Sequence, residues 1–206
     1  MPDKGNPKYR VCVYAISKNE ENFVDRWVDS MSEADFIIVM DTGSADSTVK
    51  KLRNRGCIVF QREVSPWRFD AARNMSLSFV PNDCDICVCT DLDEVFEKGW
   101  RKKVEEKWEG APDPKQMYYT FNYALKEDGT PAIVNQFHSK IHSRWGFQWV
   151  SPLHEYIACT KGAGFQIMNQ GLVLNHYPDY LKDRSDYARL HRLGYGEGHD
   201  FLGEPV

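Results

Sequence analysis

Long apolar runs are missing from this 206-residue chain. No stretch approaches the ~18 consecutive apolar residues of a membrane helix, so no membrane span is expected. The opening residues Met1-Pro2-Asp3-Lys4-Gly5-Asn6 carry no apolar segment of the secretory kind. A surplus of positive charge is missing too. Against 26 Lys+Arg stand 30 Asp+Glu, for a net charge of −4, which argues against broad binding to nucleic acid or to an anionic lipid surface. Cysteine is sparse, at six residues. Cys84-Asp-Ile-Cys87 has CxxC spacing, but no second pair lies at zinc-ribbon distance and no adjacent His completes a site. Cys87 and Cys89 fall in an apolar run, where cysteine packs as a small hydrophobe. Reduced thiols and a cytoplasmic setting are expected. Internal repeats, low-complexity tracts and linkers are absent as well. At 42% hydrophobic and 27% charged residues, wholesale disorder is excluded. One domain, a monomer, is expected, either complete or part of a longer protein.

What is present is aromatic: 13% of residues, with six Trp. Residues 117–206 hold 15 of the 27 aromatics in fewer than half the positions. The preceding hundred residues alternate strand-like and helix-like segments. Val11 to Ile16 reads as a strand, and Glu20 to Met31 as a helix with Phe23, Trp27, Val28 and Met31 on one face. Asp35 to Met40 is a second strand, buried on both sides. Asp46 or Ser47 can cap a helix that runs to about Arg55 and stops at Gly56. Cys57 to Phe60 is a third strand, Phe69 to Phe79 a helix, Asp85 to Thr90 a fourth strand and Lys98 to Trp108 a helix. This order predicts an α/β fold with a mainly parallel, Rossmann-like sheet and helices on both faces. After Gly110, turn signals at Asp113-Pro114 and Asp128-Gly129 separate aromatic-rich segments such as Met117 to Tyr123 and Ile133 to His138. That half reads as a smaller antiparallel region of strands and loops, with a helix near Arg184 to Gly194. The chain thus divides functionally into halves at about 10–110 and 111–206.

In an open parallel sheet, ligands bind outside the carboxyl ends of the strands. Three polar clusters fall there: Ser17-Lys18-Asn19-Glu20, Asp41 to Thr48, and Asp91-Leu-Asp93-Glu94. Asp46, Ser47 and Thr48 serve equally well as helix caps. Asp41 directly ends a buried strand and is read as a ligand contact. Asp91 and Asp93 sit at the mouth of Ile86-Cys-Val-Cys-Thr90, where two carboxylates can face one hard divalent cation such as Mg²⁺ or Mn²⁺ that bridges to phosphates. Trp145, Phe147 and Trp149 alternate as on one strand face, suited to core packing or to stacking on sugar. His138, His142, His191 and His199 show no partner pattern and are read as surface or structural.

Ala15-Ile-Ser-Lys-Asn-Glu20, Asp41-Thr-Gly-Ser-Ala-Asp-Ser-Thr48, Phe69-Asp-Ala-Ala-Arg-Asn74 and Asp91-Leu-Asp-Glu-Val95, followed by Pro152-Leu-His-Glu155 and Asn175-His-Tyr177, together resemble the GT-A glycosyltransferases of family 2 over roughly residues 10–180. Within that group the chain also resembles a glycosyltransferase domain encoded by a chlorella virus, which would place it in the host cytoplasm. The resemblance implies a GT-A (nucleotide-diphospho-sugar transferase) fold and transfer of a hexose or deoxyhexose from a UDP-sugar, of the UDP-glucose or UDP-rhamnose type, to a glycan hydroxyl, with inversion. It implies that Ala15, Ser17 and Asp41 frame the uridine, that Arg73 approaches base or diphosphate, and that Asp91 meets ribose or metal. Asp93 would hold Mn²⁺ or Mg²⁺, with His176 as a further ligand. Glu155 is the implied base, and Asp179 a weaker candidate. Trp149 and His154 are placed on the acceptor side, His154 reading equally as a core histidine.

Two other readings use parts of the same pattern. Val88-Cys-Thr-Asp91-Leu-Asp93 also resembles the nucleophile motif of haloacid-dehalogenase-type phosphatases, but about 80 residues of βα units precede it and no convincing acidic pair follows. A non-catalytic carbohydrate-binding module would use the aromatic half and need none of the carboxylates.

Overall fold

The β-rich run at the start of the chain becomes the strand on which the rest is built. In the computed structural model, which describes residues 8–179 and 185–193, β1 (Val11–Ser17) lies inside an eight-stranded sheet. Parallel to it run β2 (Phe36–Asp41), β3 (Ile58–Gln61) and β4 (Ile86–Cys89), with α1 (Val24–Met31), α2 (Thr48–Asn54) and α3 (Phe69–Ser78) in the crossovers. There follow β5 (Glu94–Phe96), α4 (Trp100–Trp108), β6 (Lys115–Leu125), β7 (Pro131–Ser143), β8 (Phe147–Val150), β9 (Tyr156–Cys159), β10 (Phe165–His176) and α5 (Ser185–Arg192). Strand order is β3-β2-β1-β4-β7-β6-β10-β5, and β8–β9 form a separate two-stranded antiparallel sheet.

The expected α/β class is what forms, with strand pairings that the sequence does not announce. The expected smaller antiparallel region forms as β8–β9, while β6, β7 and β10 join the main sheet, where β6 pairs with β10 in parallel. The reason is that β7 enters antiparallel between β4 and β6, so β6 runs with the first four strands, and β10 returns in that direction after the β8–β9 excursion. The end of the acidic motif, Glu94 and Val95, forms with Phe96 an edge strand antiparallel to β10. The glycine-rich closing segment beyond residue 193, with His199, lies outside the described residues.

The alternation of β1 feeds two cores. Val11, Val13 and Ala15 face Trp27 and Val28 of α1, Leu52 of α2 and Trp100 and Val104 of α4; Cys12 and Tyr14 face Leu77 of α3 and Phe147, Trp149 and Ile157 of the small sheet. The sheet is therefore covered on both faces, as a parallel core requires. Two of the buried indoles are satisfied within the first core: Trp27 Nε1 donates to Thr90 Oγ1 (3.0 Å) and Trp100 Nε1 to the Ser30 carbonyl (2.9 Å). Of the two capping candidates for α2, Asp46 does the bonding, its Oδ1 accepting from Thr48 N (2.9 Å) and Oγ1 (2.6 Å). Gly56 ends that helix at φ +83°. All six cysteines are free thiols.

His142 is wholly buried in the second core. Its Nδ1–H donates to the Ser143 carbonyl and its Nε2 accepts from Tyr14 Oη (both 2.8 Å), which in turn accepts from Trp149 Nε1 (2.8 Å). Burial, opposed by the Ser143 bond and helped by Arg144, pushes the imidazole down to about 4. An unfolded His titrates near ~6.5. The neutral form is thus the folded one, and its contribution is complete above about pH 6.5 and is lost as pH falls toward about 4. About 2–3 kcal/mol of unfolding free energy should disappear through this group between about pH 7 and about pH 4.5. Urea titrations across that range should show a shallower slope for His142→Asn; an identical slope would locate the acid sensitivity elsewhere. His138, also lowered by burial and by Lys140, adds slope of the same sign.

Candidate active site

The carboxyl ends of β1, β2 and β4 open on one cleft, where the loops are tied to each other before any ligand is considered. Asp41 is 0% exposed. Its Oδ1 accepts from Ser17 Oγ (3.1 Å) and Ser44 Oγ, and its Oδ2 from the Gly43 and Ser44 backbone N–H groups (3.2 and 3.0 Å). Gly43 takes φ +110°, which only glycine adopts easily, to let the loop fold back on that carboxylate. Asp41 therefore orders its own loop, while still bordering a cavity beside Lys18 and Thr42. Ala15 lies buried, its carbonyl accepting from Ser76 Oγ (2.9 Å), and the cleft is lined by Ile16, Ser17 and Lys18 beyond it.

Beside this wall stands a buried charge cluster centred on α3. Arg73, 4% exposed, projects its fork in three directions. Nη2 donates to Asp91 Oδ1 (2.9 Å) and Oδ2 (3.1 Å), Nε to Glu155 Oε1 (2.6 Å) and Nη1 to Cys89 Sγ (3.3 Å). Lys140 Nζ donates to Asp91 Oδ2 (3.0 Å) and Glu94 Oε1 (2.9 Å), and Glu94 Oε2 accepts from the Asp91 N–H (2.8 Å). Burial alone would raise Asp91, but Arg73 and Lys140 outweigh it and hold the carboxyl far below the usual range. The same pairing keeps Lys140 protonated against its burial. Glu94, for which burial dominates, is raised. The guanidinium of Arg73 rests on the Trp149 ring at 5.0 Å, and Trp149 is itself 2% exposed. The structure thus assigns Trp149 to support Arg73; its ring is not an open stacking platform. Trp145, expected on the same face, precedes β8 and is exposed, while Phe147 and Trp149 pack in the core.

Glu155 reaches Arg73 because the segment after β8 is clipped to α3. Asn74 Nδ2 donates to the Trp149 carbonyl (2.8 Å), Trp149 N to Asn74 Oδ1 (2.9 Å) and Phe69 N to the Pro152 carbonyl (3.0 Å). Ser151 and His154 take φ +78° and +54°. Such strain in non-glycine residues persists only where surrounding contacts over-determine it, and it gathers at functional sites. With Oε1 taken by Arg73, Glu155 Oε2 has no partner among the described residues. His154 turns the other way, toward α5, with its Nε2 3.3 Å from Tyr187 Oη and its ring edge-on to Tyr187 and His191.

Asp93 and His176 meet through the β5–β10 pairing. Tyr177 N donates to the Asp93 carbonyl (2.8 Å), and Nε2 of His176 lies 3.3 Å from Asp93 Oδ2. The imidazole stacks on Tyr123 at 4.8 Å, and its Nδ1 accepts from Ala124 N (3.3 Å), which leaves the ring proton on Nε2 facing Asp93. Among the described residues no group of three or more His, Cys, Asp and Glu converges on one point. Asp91, expected as a third ligand, is drawn away by two cations. The donor chemistry nevertheless fits a divalent ion: one carboxylate and one imidazole converge, and a hard cation commonly takes its remaining positions from ligand oxygens and water. Ligation through Nε2 would replace its direct contact with Asp93, shift the ring proton to Nδ1 and release the long Ala124 contact.

Two cavities flank the cluster. One of about 280 Å³ is bounded by Ser17, Lys18, Thr42, Trp67 and Asp179. The other, about 550 Å³, is bounded by Tyr118, Phe137, Tyr156, His154 and Glu155. Phe69, Arg73, Asp91, His176 and Tyr187 border both. Lys140, Glu94, Trp67 and Tyr187 are the site residues that sequence reasoning missed. Glu94 stood inside the quoted acidic motif, but nothing near Lys140 in the chain marks it as the partner of residues 46 and 49 positions earlier.

A family model described as "Glycosyl transferase family 2" matches residues 12–146. Among solved structures, glucosyl-3-phosphoglycerate synthase from Mycobacterium tuberculosis, crystallised with Mn²⁺, UDP and glucosyl-3-phosphoglycerate, is similar at 21% identity and TM-score 0.47, over 55% of this chain and 44% of that one. TarS from S. aureus in complex with UDP is similar at 20% identity and TM-score 0.45, over 59% and 38%. Mannosyl-3-phosphoglycerate synthase from Rubrobacter xylanophilus is similar at 18% identity and TM-score 0.47, over 60% and 43%. The match in each case spans less than half the length of the solved relative. The family match begins in β1 and ends at the turn before β8, so it contains Arg73, Asp91, Asp93 and Lys140 and stops short of Glu155 and His176. Through that match, which covers more than half of its residues, the chain belongs to glycosyl transferase family 2, and its α/β sheet is of the GT-A kind.

Proposed function

We propose that the chain transfers a hexose or deoxyhexose from a UDP-sugar to a hydroxyl of a glycan acceptor, with a divalent metal and with inversion at the anomeric carbon. The observation that carries this reading is the meeting of Arg73, Asp91, Glu155 and the Asp93–His176 pair at the border of two cavities. The donor belongs in the smaller cavity at the strand ends, the side on which open α/β sheets bind nucleotides. Asp93 and His176 would hold Mn²⁺ or Mg²⁺, which when bound supplies positive charge to the departing diphosphate. Arg73, already desolvated and fixed by Asp91 and Trp149, is a preorganised cation of the kind that stabilises developing negative charge without reorganisation. Glu155 Oε2 borders the larger cavity and is the oxygen that would take the proton from an attacking hydroxyl. A base and an acceptor on the side of the cluster away from the donor favour in-line displacement, hence inversion.

A phosphatase using Asp91 as nucleophile is disfavoured by family membership and by the three bonds that Arg73 and Lys140 make to that carboxylate. A purely carbohydrate-binding role leaves the buried charge cluster without a purpose. The test is thermal unfolding with UDP, with and without Mn²⁺. A ligand present at 100 times its Kd stabilises by about 2.7 kcal/mol, and the combination should exceed UDP alone. Asp93→Asn should erase the Mn²⁺-dependent increment and keep the UDP-dependent one. Absence of any shift with UDP and Mn²⁺ would defeat the reading, and hydrolysis of a panel of UDP-sugars would identify the donor.

A further inference from the structure

The larger cavity holds polar atoms that the fold buries and leaves unused. Gln116, His138 and Ser139 all border it, and Gln116 Oε1, His138 Nε2 and Ser139 Oγ are each buried without a hydrogen-bond partner. Three such atoms in one place are unusual, because buried polar groups in folded proteins are nearly always paired. Their environment explains how they are held. Gln116 Nε2 donates to Tyr118 Oη (2.8 Å), which fixes the amide with Oε1 as the open acceptor. His138 stacks on Phe121 at 4.3 Å, and burial together with Lys140 keeps its ring neutral. Ser139 lies where β7 slips against β6: Ile141 pairs with Met117 and His138 with Tyr119, so Ser139 and Lys140 together oppose Tyr118. Bulges of this kind re-aim side chains next to active sites.

We infer that Gln116, His138 and Ser139 are specificity-determining residues for the acceptor, a polar floor that takes the hydroxyls of a neutral sugar ring packed against the aromatic rim of the same cavity. The inference rests on the glycosyl-transfer reading. Phe137 and Tyr156 on that rim are 66% and 60% exposed, an aromatic surface suited to the apolar face of a sugar. The floor offers an acceptor-only atom, a neutral imidazole nitrogen and a hydroxyl, and sugar hydroxyls can donate to and accept from such a set. A phosphate or carboxylate offers acceptors only and leaves Gln116 Oε1 unpaired. The charge of the cavity points the same way. Asp91, Glu94 and Glu155 face Arg73 and Lys140, and both cations are already engaged by those carboxylates.

The experiment is transfer from the UDP-sugar that the enzyme hydrolyses to methyl glycosides of neutral pentoses and hexoses, and to uronic-acid and phosphorylated counterparts. It is run with wild type, Ser139→Ala and Gln116→Met, with donor KM as the internal reference. Ser139→Ala removes only an atom that has no partner in the free protein and should leave thermal stability unchanged or raised, whereas Gln116→Met also removes the Nε2 bond to Tyr118 Oη and is read by acceptor KM alone. Each variant should raise acceptor KM about tenfold, the effect of one lost hydrogen bond, with a much smaller change in kcat. Unchanged acceptor KM, lowered stability of Ser139→Ala without a KM effect, preference for the anionic counterparts, or no transfer to any neutral glycoside would each overturn the inference. Failure of the underlying reading looks different: the wild-type protein would then neither hydrolyse a UDP-sugar nor gain stability from UDP and Mn²⁺.

Discussion

Replacing Arg73 with Met should lower the free energy of unfolding by about 3–5 kcal/mol, the range for breaking a buried ion pair from one side, and should abolish transfer. The size follows from what would be left behind. Glu155 loses its one charged partner, and Asp91 keeps only Lys140, which it already shares with Glu94. Two carboxylates would then face each other across a hydrophobic slot in front of Trp149, and the stem of Met restores none of the missing charge. Arg73→Lys should recover part of the stability and little of the activity. One ammonium can balance charge, but it cannot send Nε to Glu155 and Nη2 to Asp91 at once, and that planar fork is what orients both acids. Urea titration measures the first effect through the midpoint at constant m-value. A loss below about 1 kcal/mol for Arg73→Met would mean that the cluster relaxes without its central cation, contrary to the burial seen here.

That cluster also marks where sequence reasoning stops. The residues between 11 and 108 announce their structure because each element carries its own signal. Ile37 to Met40 is a continuous apolar run, Trp27, Val28 and Met31 recur at helical spacing, and Gly56 ends a helix; the strands and helices form within a few residues of those signals. The strand-end rule then places Ser17, Asp91 and Asp93 at one cleft. It cannot say which way a carboxylate turns once its neighbours compete for it. Asp41 turns inward because the Ser17 and Ser44 hydroxyls and the Gly43 and Ser44 backbone N–H groups offer four donors. Asp91 turns to Arg73 and Lys140 because a half-buried acid gains more from two cations than from an open cleft. Lys140 was out of reach for a different reason. Its direction depends on the slip between β6 and β7 opposite Tyr118, a register property of two strands with no local mark in either. The parallel pairing of β6 with β10 is equally non-local, since about forty residues separate the strands.

Glu155→Gln should reduce transfer by about 10²–10⁴-fold, the contribution typical of a positioned general base, while the gain in thermal stability from UDP and Mn²⁺ persists. The substitution isolates the proton-accepting role. A glutamine Oε1 can still accept from Arg73 Nε, so the segment after β8 keeps its anchor on α3, and only the ability of the second oxygen to take a proton is removed. The split between kcat and binding matters because Glu155 is bound to Arg73, a structural role, and the proposed reading adds a chemical one through Oε2. A structural role alone predicts parallel losses of stability, UDP response and transfer. A chemical role predicts loss of transfer alone, together with loss of the acidic limb of the pH profile of kcat/KM. The rival carboxylate is Asp179, which borders the smaller cavity. A base on that side would stand with the departing diphosphate instead of the incoming hydroxyl, so Asp179→Asn should spare the chemical step. If Glu155→Gln transfers within about threefold of wild type, the proton must leave by another route, and the anomeric configuration of the product, read by NMR, would decide whether displacement still inverts.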